Sequence, residues 1–373
     1  MGRRDTGWLL LTLLACVLFL VSCCPAPVAD VLPTRLSSLV STALPTPIAS
    51  TAQPTWTPTP SPTQTPSPVP TIQPDAVAAL TARGRAKLEA RGVDPLCLRW
   101  DDTDGDGEAE WIGLHFSGGL QAFVLDGEAW YDLQPLAGAT YGLGAYPTCE
   151  LEIRDVNADG TVEVLIWGHA GTSTDLLHIF IWDGVTYVLL APFEGEAGVQ
   201  LVDNDGDLIE EVLVRYDAGS DLVWEAVYTW DGAHYGWTWE RYSWRYLDRP
   251  HAYPTDTPER TVISYYLALD DRDTPAAFDL LSLEAQTIWG PYDAWAAGFA
   301  TTVALEVGSV HEQSRSDGSA TVIAQVRAYD NVDGRVIASL WDVTWTAVRV
   351  DSGWRLDRVS GTQLDEWEAT YYP

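Results

Sequence analysis

Three acidic loops of one spacing constrain this chain more than any other feature. The first is Asp102-x-Asp104-x-Asp106-Gly107-x-x-Glu110 and the second is Asp155-x-Asn157-x-Asp159-Gly160-x-x-Glu163. The third, Asp203-x-Asp205-x-Asp207-x-x-x-Glu211, has Leu208 where the others have glycine. Calcium takes about six to eight hard oxygens at roughly 2.3–2.6 Å. Side chains at positions 1, 3, 5 and 9 of a tight loop supply four of those directions, and the carbonyl of position 7 supplies a fifth. Asp-Gly loops also serve as plain hairpin turns. Three in register, each closing on a carboxylate and running into an apolar stretch, point instead to Ca2+ as a structural ion. Asp155 follows Asp102 by 53 residues and Asp203 follows Asp155 by 48, so the loop marks a repeated structural unit.

These loops are not EF-hands. An EF-hand loop lies between helices and ends in a bidentate Glu at position 12, where this chain has Gly113, Ile166 and Val214. The runs after the loops, such as Glu163-Val164-Leu165-Ile166-Trp167, are short and rich in β-branched and aromatic residues, and so read as strands. Further on, each unit carries an Asp-Gly hairpin signal, at Asp126-Gly127, Asp183-Gly184 and Asp231-Gly232, for which a type I′ turn is expected. Each unit therefore reads as strand, acidic loop, strand, strand, hairpin, strand. Over residues 95–247 this pattern resembles the FG-GAP/VCBS family, the calcium-loop blades of integrin-α-type propellers and of many bacterial surface proteins. The resemblance implies three propeller-blade-like β repeats, structural calcium and extracellular recognition. The chain departs from that family at Leu208, which strains the third loop, and in having three units where propellers close with about four to eight. Thr103, between two ligands, is expected to be indifferent to substitution.

Residues 1–24 read as an export signal. Arg3 and Arg4 precede an apolar run from Trp8 to Val21, too short for a typical membrane span. Leu20-Val21-Ser22-Cys23 resembles the lipobox of bacterial lipoproteins, which implies lipidation at Cys23 and anchoring of the chain to the extracellular side of the bacterial cell membrane. Residues 25–74 hold 13 of the 23 prolines and only Asp30 and Arg35 as charges, a composition that stays extended as a tether. A helix is expected over residues 75–94. Cys97 and Cys149 occupy similar places in successive repeats, and export permits a disulfide between them. The net charge of −32 argues against nucleic acid and anionic membrane surfaces as partners.

After a linker at Asp248–Pro254 the pattern changes to helices followed by long strands, an α+β arrangement over residues 256–373. Thr257-Pro258-Glu259 and Asp273-Thr274-Pro275 open helices, and Tyr292 to Ala300 forms a third. Strands are expected at 302–310, 321–329, 336–350 and 354–359. The segments Val262 to Leu269, Ala277 to Ser282 and Val348 to Leu356 resemble the nuclear transport factor 2-like (SnoaL-like) cone, which implies a concave pocket and either an enzyme or a binding module. Asp270, Asp271 and Asp273 read as turn acids and His311 has no evident carboxylate partner, so no catalytic residue is expected. Trp237 and Trp239 alternate along one strand, which places both rings on one face. They pack between the domains or form an aromatic platform for sugar rings. The sequence thus predicts a lipid-anchored, calcium-binding surface protein, mainly β plus α+β, that binds an extracellular protein or glycan without catalysis. The alternatives are a polysaccharide binder using the tryptophans and a secreted enzyme using the cone pocket.

Overall fold

The structure, a computed structural model, describes residues 74–246 and 248–369. The expected signal segment, Cys23 and the tether up to residue 73 lie outside the described residues. Four four-stranded antiparallel sheets follow one another along the chain, and in each the strands pair in sequence order. The first holds β1 to β4 (Cys97–Asp101, Glu110–Phe116, Leu120–Asp126, Ala129–Leu133). The second holds β5 to β8 (Leu151–Arg154, Glu163–Ala170, Thr174–Trp182, Tyr187–Gly195). The third holds β9 to β12 (Gly198–Val202, Glu211–Gly219, Leu222–Trp230, Tyr235–Trp244), and the fourth β13 to β16 (Thr302–Ser316, Ser319–Val332, Arg335–Val350, Gly353–Glu368).

The first three sheets pack face to face, and strand alternation explains how. Val164, Ile166 and Phe180 of the second sheet meet Ile112, Leu114 and Val124 of the first. Leu165, Leu177 and Ile179, on the opposite face, meet Val212, Val214 and Ala226 of the third. The middle sheet is covered on both sides, which is why its central strands read as continuous apolar runs rather than alternating ones. The outer face of the first sheet carries Trp111, Phe123 and Leu125 against Leu88 of α1 (Pro74–Ala90). That helix stops where Gly92 takes φ 76° and Val93 N–H returns to the Leu88 carbonyl at 3.0 Å. Among the described residues no helix is long and apolar enough to cross a membrane.

The Asp-Gly hairpins depart from the expected type I′ turns, which need positive φ at both central residues. In the first, of the two central residues only Gly127 has it. In the second and third the loops are wider, and Asp183 and Asp231 each accept two backbone N–H groups at Oδ1, from Val185 and Thr186 and from Ala233 and His234.

In the C-terminal region α2 (Pro258–Asp270) is capped by Thr257, whose hydroxyl accepts from Arg260 N–H. α3 (Thr274–Asp279) is capped by Asp273. α4 (Leu283–Trp289), absent from the sequence reading, is capped by Ser282. α5 (Tyr292–Ala296) passes into a single 3-10 turn at Ala297–Phe299. α2 is buried along most of its length against the fourth sheet, whose strands are each longer than expected. Tyr265, Tyr266, Trp295 and Trp345 fill the space between helices and sheet, where the cone resemblance implied a pocket.

Candidate metal centre

Each acidic loop begins directly after one strand and ends on the first residue of the next. Asp102 follows β1 and Glu110 opens β2; Asp155 and Glu163 stand likewise around β5 and β6, and Asp203 and Glu211 around β9 and β10. The backbone folds inward on the first carboxylate. Gly105 and Gly107 N–H donate to the two oxygens of Asp102 at 2.8 and 3.0 Å, and Gly206 and Leu208 N–H donate to Asp203 at 2.7 and 3.1 Å. Position 3 in each loop, Asp104, Asn157 or Asp205, accepts from the amide two residues on. This inward curl needs left-handed backbone at positions 4 and 6, and all three loops adopt it. Ala158 (φ 55°) takes position 4 of the second loop, and Leu208 (φ 74°) takes position 6 of the third.

In the first loop one carboxylate oxygen from each of Asp102, Asp104, Asp106 and Glu110 lies within 4.8 Å of the others. Glu110 is 1 % exposed. Its Oε2 accepts from Thr103 N–H at 2.6 Å and from the Thr103 hydroxyl at 2.8 Å, while its Oε1 is buried with no hydrogen-bond partner. A buried carboxylate oxygen without a partner is costly, and a cation among these four groups would satisfy it. The donor set is all oxygen, which suits a hard divalent ion. In the third loop Asp203, Asp205 and Asp207 cluster in the same way, with Glu211 held through Asn204 N–H at 2.7 Å. The second loop is arranged differently: Asn157 Nδ2 donates to Glu163 Oε1 at 3.0 Å, so one of its expected ligands is engaged with another.

Burial, reinforced by neighbouring acids, pushes both Glu163 and Glu211 up to about 7. Burial likewise raises Glu110, Asp104 and Asp205. Asp159 runs the other way, because hydrogen bonds from Thr161 outweigh its burial. The glutamates that close the loops are thus placed where a carboxylate is unfavourable unless positive charge is near.

Thr103 is a correction. It is buried, holds Glu110 through two hydrogen bonds, and its hydroxyl lies 2.5 Å from the Tyr187 hydroxyl of the second repeat. The spacing shows Tyr187 and Tyr235 at matching places after the Asp-Gly hairpins, but not that Tyr187 reaches back to the preceding loop. The disulfide is a second correction: buried Cys97 and exposed Cys149 are both free. Burial, reinforced by the neighbouring Cys149 thiol, pushes Cys97 up to about 12.

The tryptophan platform is a third correction. Val227 pairs with Trp239 and the adjacent Tyr228 pairs with Trp237, so a β-bulge at Thr238 puts the two rings on opposite faces. Trp237 is 58 % exposed, whereas Trp239 is 7 % exposed, packed with Leu213 and Val227 beneath Arg327 at 4.1 Å. The acids of the C-terminal domain serve as fixed acceptors. Asp270 takes Leu305 N–H at 2.8 Å, and Asp271 takes Trp244 Nε1 at 3.0 Å and the Tyr253 hydroxyl at 3.1 Å.

No protein-family model matches this chain, and no curated protein matches it. Solved structures are similar to part of it, among them the following three. A hexachlorocyclohexane dehydrochlorinase (LinA, type 2) is 14% identical over 29% of this chain and 83% of its own, with a TM-score of 0.25. A putative scytalone dehydratase from Novosphingobium aromaticivorans is 17% identical over 31% of this chain and 89% of its own, also at 0.25. Bd1075 of Bdellovibrio bacteriovorus is 10% identical over 51% of this chain and 90% of its own, at 0.23. The likeness is a weak one, to the SnoaL/NTF2-like fold over a fraction of the chain, and assigns no reaction. The expectation of a non-catalytic chain is not kept, two of these neighbours being enzymes by name.

Proposed function

We propose that the three acidic loops bind calcium, and that the chain is a lipid-anchored surface protein whose repeat region serves ligand binding or adhesion. In this reading Cys23 carries the lipid, residues 25–74 hold the folded part away from the membrane, and the partner is an extracellular protein or glycan. The three stacked sheets act as FG-GAP/VCBS-like blades, with α1 and the C-terminal domain covering the two ends of the stack in place of further blades. The observation that carries the cation is the pairing of two facts at Glu110: its Oε1 is buried and unpartnered, and one of its carboxylate oxygens clusters within 4.8 Å of one from each of three aspartates. Calcium is favoured over softer metals because every available donor is oxygen.

Extracellular calcium sites have dissociation constants of about 10⁻⁴–10⁻³ M. Free calcium at ten times that constant adds about 1.4 kcal/mol per site, from RT ln(1 + [L]/Kd). Thermal unfolding of the full chain in calcium and in excess chelator tests the reading. The expected outcome is a lower Tm in chelator, with much of the difference lost in Asp104→Ala. A melt that chelator leaves unchanged in the wild type contradicts it.

A further inference from the structure

The steps between successive repeats differ in length far more than the fold requires. Residues 134–150 join β4 to β5, whereas Glu196 and Ala197 alone join β8 to β9. Both connections carry the chain from the last strand of one sheet to the first strand of the next, so the longer one holds chain that the step does not need. Long connections in compact domains are commonly functional. This one is firmly built. Gly144 N–H returns to the Tyr141 carbonyl at 3.0 Å, Leu120 N–H of β3 donates to Gly144 at 2.8 Å, and Ala145 N–H donates to His169 of β6 at 2.9 Å. Gly168 permits that approach, because a Cβ there would lie 1.8 Å from the Leu143 carbonyl oxygen.

Thr140, Tyr141 and Gly142 of this loop line two cavities. One, of about 490 Å³, is bordered by Gln121, Asp132 and Gln134. The other, of about 310 Å³, has Leu176, Pro192 and Phe193 as walls, with His178 and Glu194. Both sizes suit small ligands, whose pockets run to roughly 300–1,000 Å³. His178 is 3 % exposed, and its Nδ1 has no hydrogen-bond partner. Burial lowers it to about 4, so the ring is neutral and can pair with a hydroxyl. No lysine or arginine lines either cavity, which disfavours an anion. Amides, a neutral imidazole and flat apolar rings together match a ligand with hydroxyls on its edge and C–H groups on its faces.

We propose that the 134–150 loop and its two cavities bind a neutral oligosaccharide, with one pyranose ring on each side of Tyr141. The site is independent of the calcium loops and replaces the Trp237 and Trp239 platform that the strand pattern suggested. Isothermal titration of the full chain with cellobiose, maltose and N,N′-diacetylchitobiose tests it. Saturable binding of at least one disaccharide is expected, weakened at least tenfold by Tyr141→Ala and by His178→Leu, and unchanged by Trp237→Ala. Gln134 is exposed, so Gln134→Ala leaves folding intact and weakens binding if the polar cavity takes part. Absence of saturable binding with all three sugars overturns the proposal. So does binding that persists unchanged in both Tyr141→Ala and Gln134→Ala, and so does binding of choline in place of sugar, which would mean that Asp132 and Glu194 read a cation.

Discussion

Leu208 shows at one residue how strongly the acidic loop imposes its backbone. It holds φ 74° where the other loops have glycine, and it is 75 % exposed, so no packing rewards the side chain. What fixes the conformation is its own N–H, which donates to Asp203 at 3.1 Å. The left-handed region costs an L-residue roughly 1–2 kcal/mol, and part of that gain is returned through the larger unfolded-state entropy of glycine. Leu208→Gly is therefore expected to stabilise the protein by about 1 kcal/mol in chemical denaturation. An equal or lower midpoint would mean that the loop relaxes around the leucine.

At the scale of the element, β7 carries the clearest pH dependence. His178 lies buried there, and burial holds it to about 4. A histidine whose folded value is depressed leaves the fold unpenalised above its ordinary value of about 6.5, and stability is lost as pH falls from there towards 4. The loss approaches about 3 kcal/mol below that window. His169 opposes it weakly. Its partners Glu150 and Asp175 raise it despite burial, so its contribution is present in acid and fades as pH rises, but it is half exposed and solvent screens it. Stability measured from pH 7 to pH 4 is expected to fall more steeply in the wild type than in His178→Leu; parallel curves would refute this. The elements also show what sequence reading captures. Strand and loop order and the Thr257 and Asp273 caps were legible, because each rests on local chemistry. The bulge at Thr238 was not: it recurs 48 residues earlier, where Ile179 pairs with Ala191 and Phe180 with Leu189, yet leaves no compositional mark. One inserted residue turns the rest of a strand over, so simple alternation misplaced Trp239. The contact of the Thr103 hydroxyl with Tyr187 lies between repeats, which spacing alone does not reveal.

Across the whole molecule, buried charge joins the repeats to the C-terminal domain. Glu225 of β11 meets Arg215 at 2.9 Å and Arg241 at 2.8 Å, and Arg241 reaches Glu306 of β13 at 2.6 Å. Glu306 also accepts from the Tyr329 hydroxyl at 3.1 Å. Gly308 lets β13 approach β12 here, since a Cβ would stand 2.1 Å from the Glu240 carbonyl oxygen. The charges of this network are compensated from within the protein, with arginines between the acids. The acidic loops differ in this respect: no arginine or lysine is paired with Asp102, Asp104, Asp106 or Glu110 among the described ion pairs. That contrast is why a cation from solution is assigned to the loops and not to the interface. Equilibrium dialysis of the full chain against calcium measures the assignment most directly. Saturable uptake at millimolar or lower concentration is expected, with one site fewer in Glu110→Gln; no uptake by the wild type, or uptake that Glu110→Gln leaves unaltered, would rule out calcium in the loops.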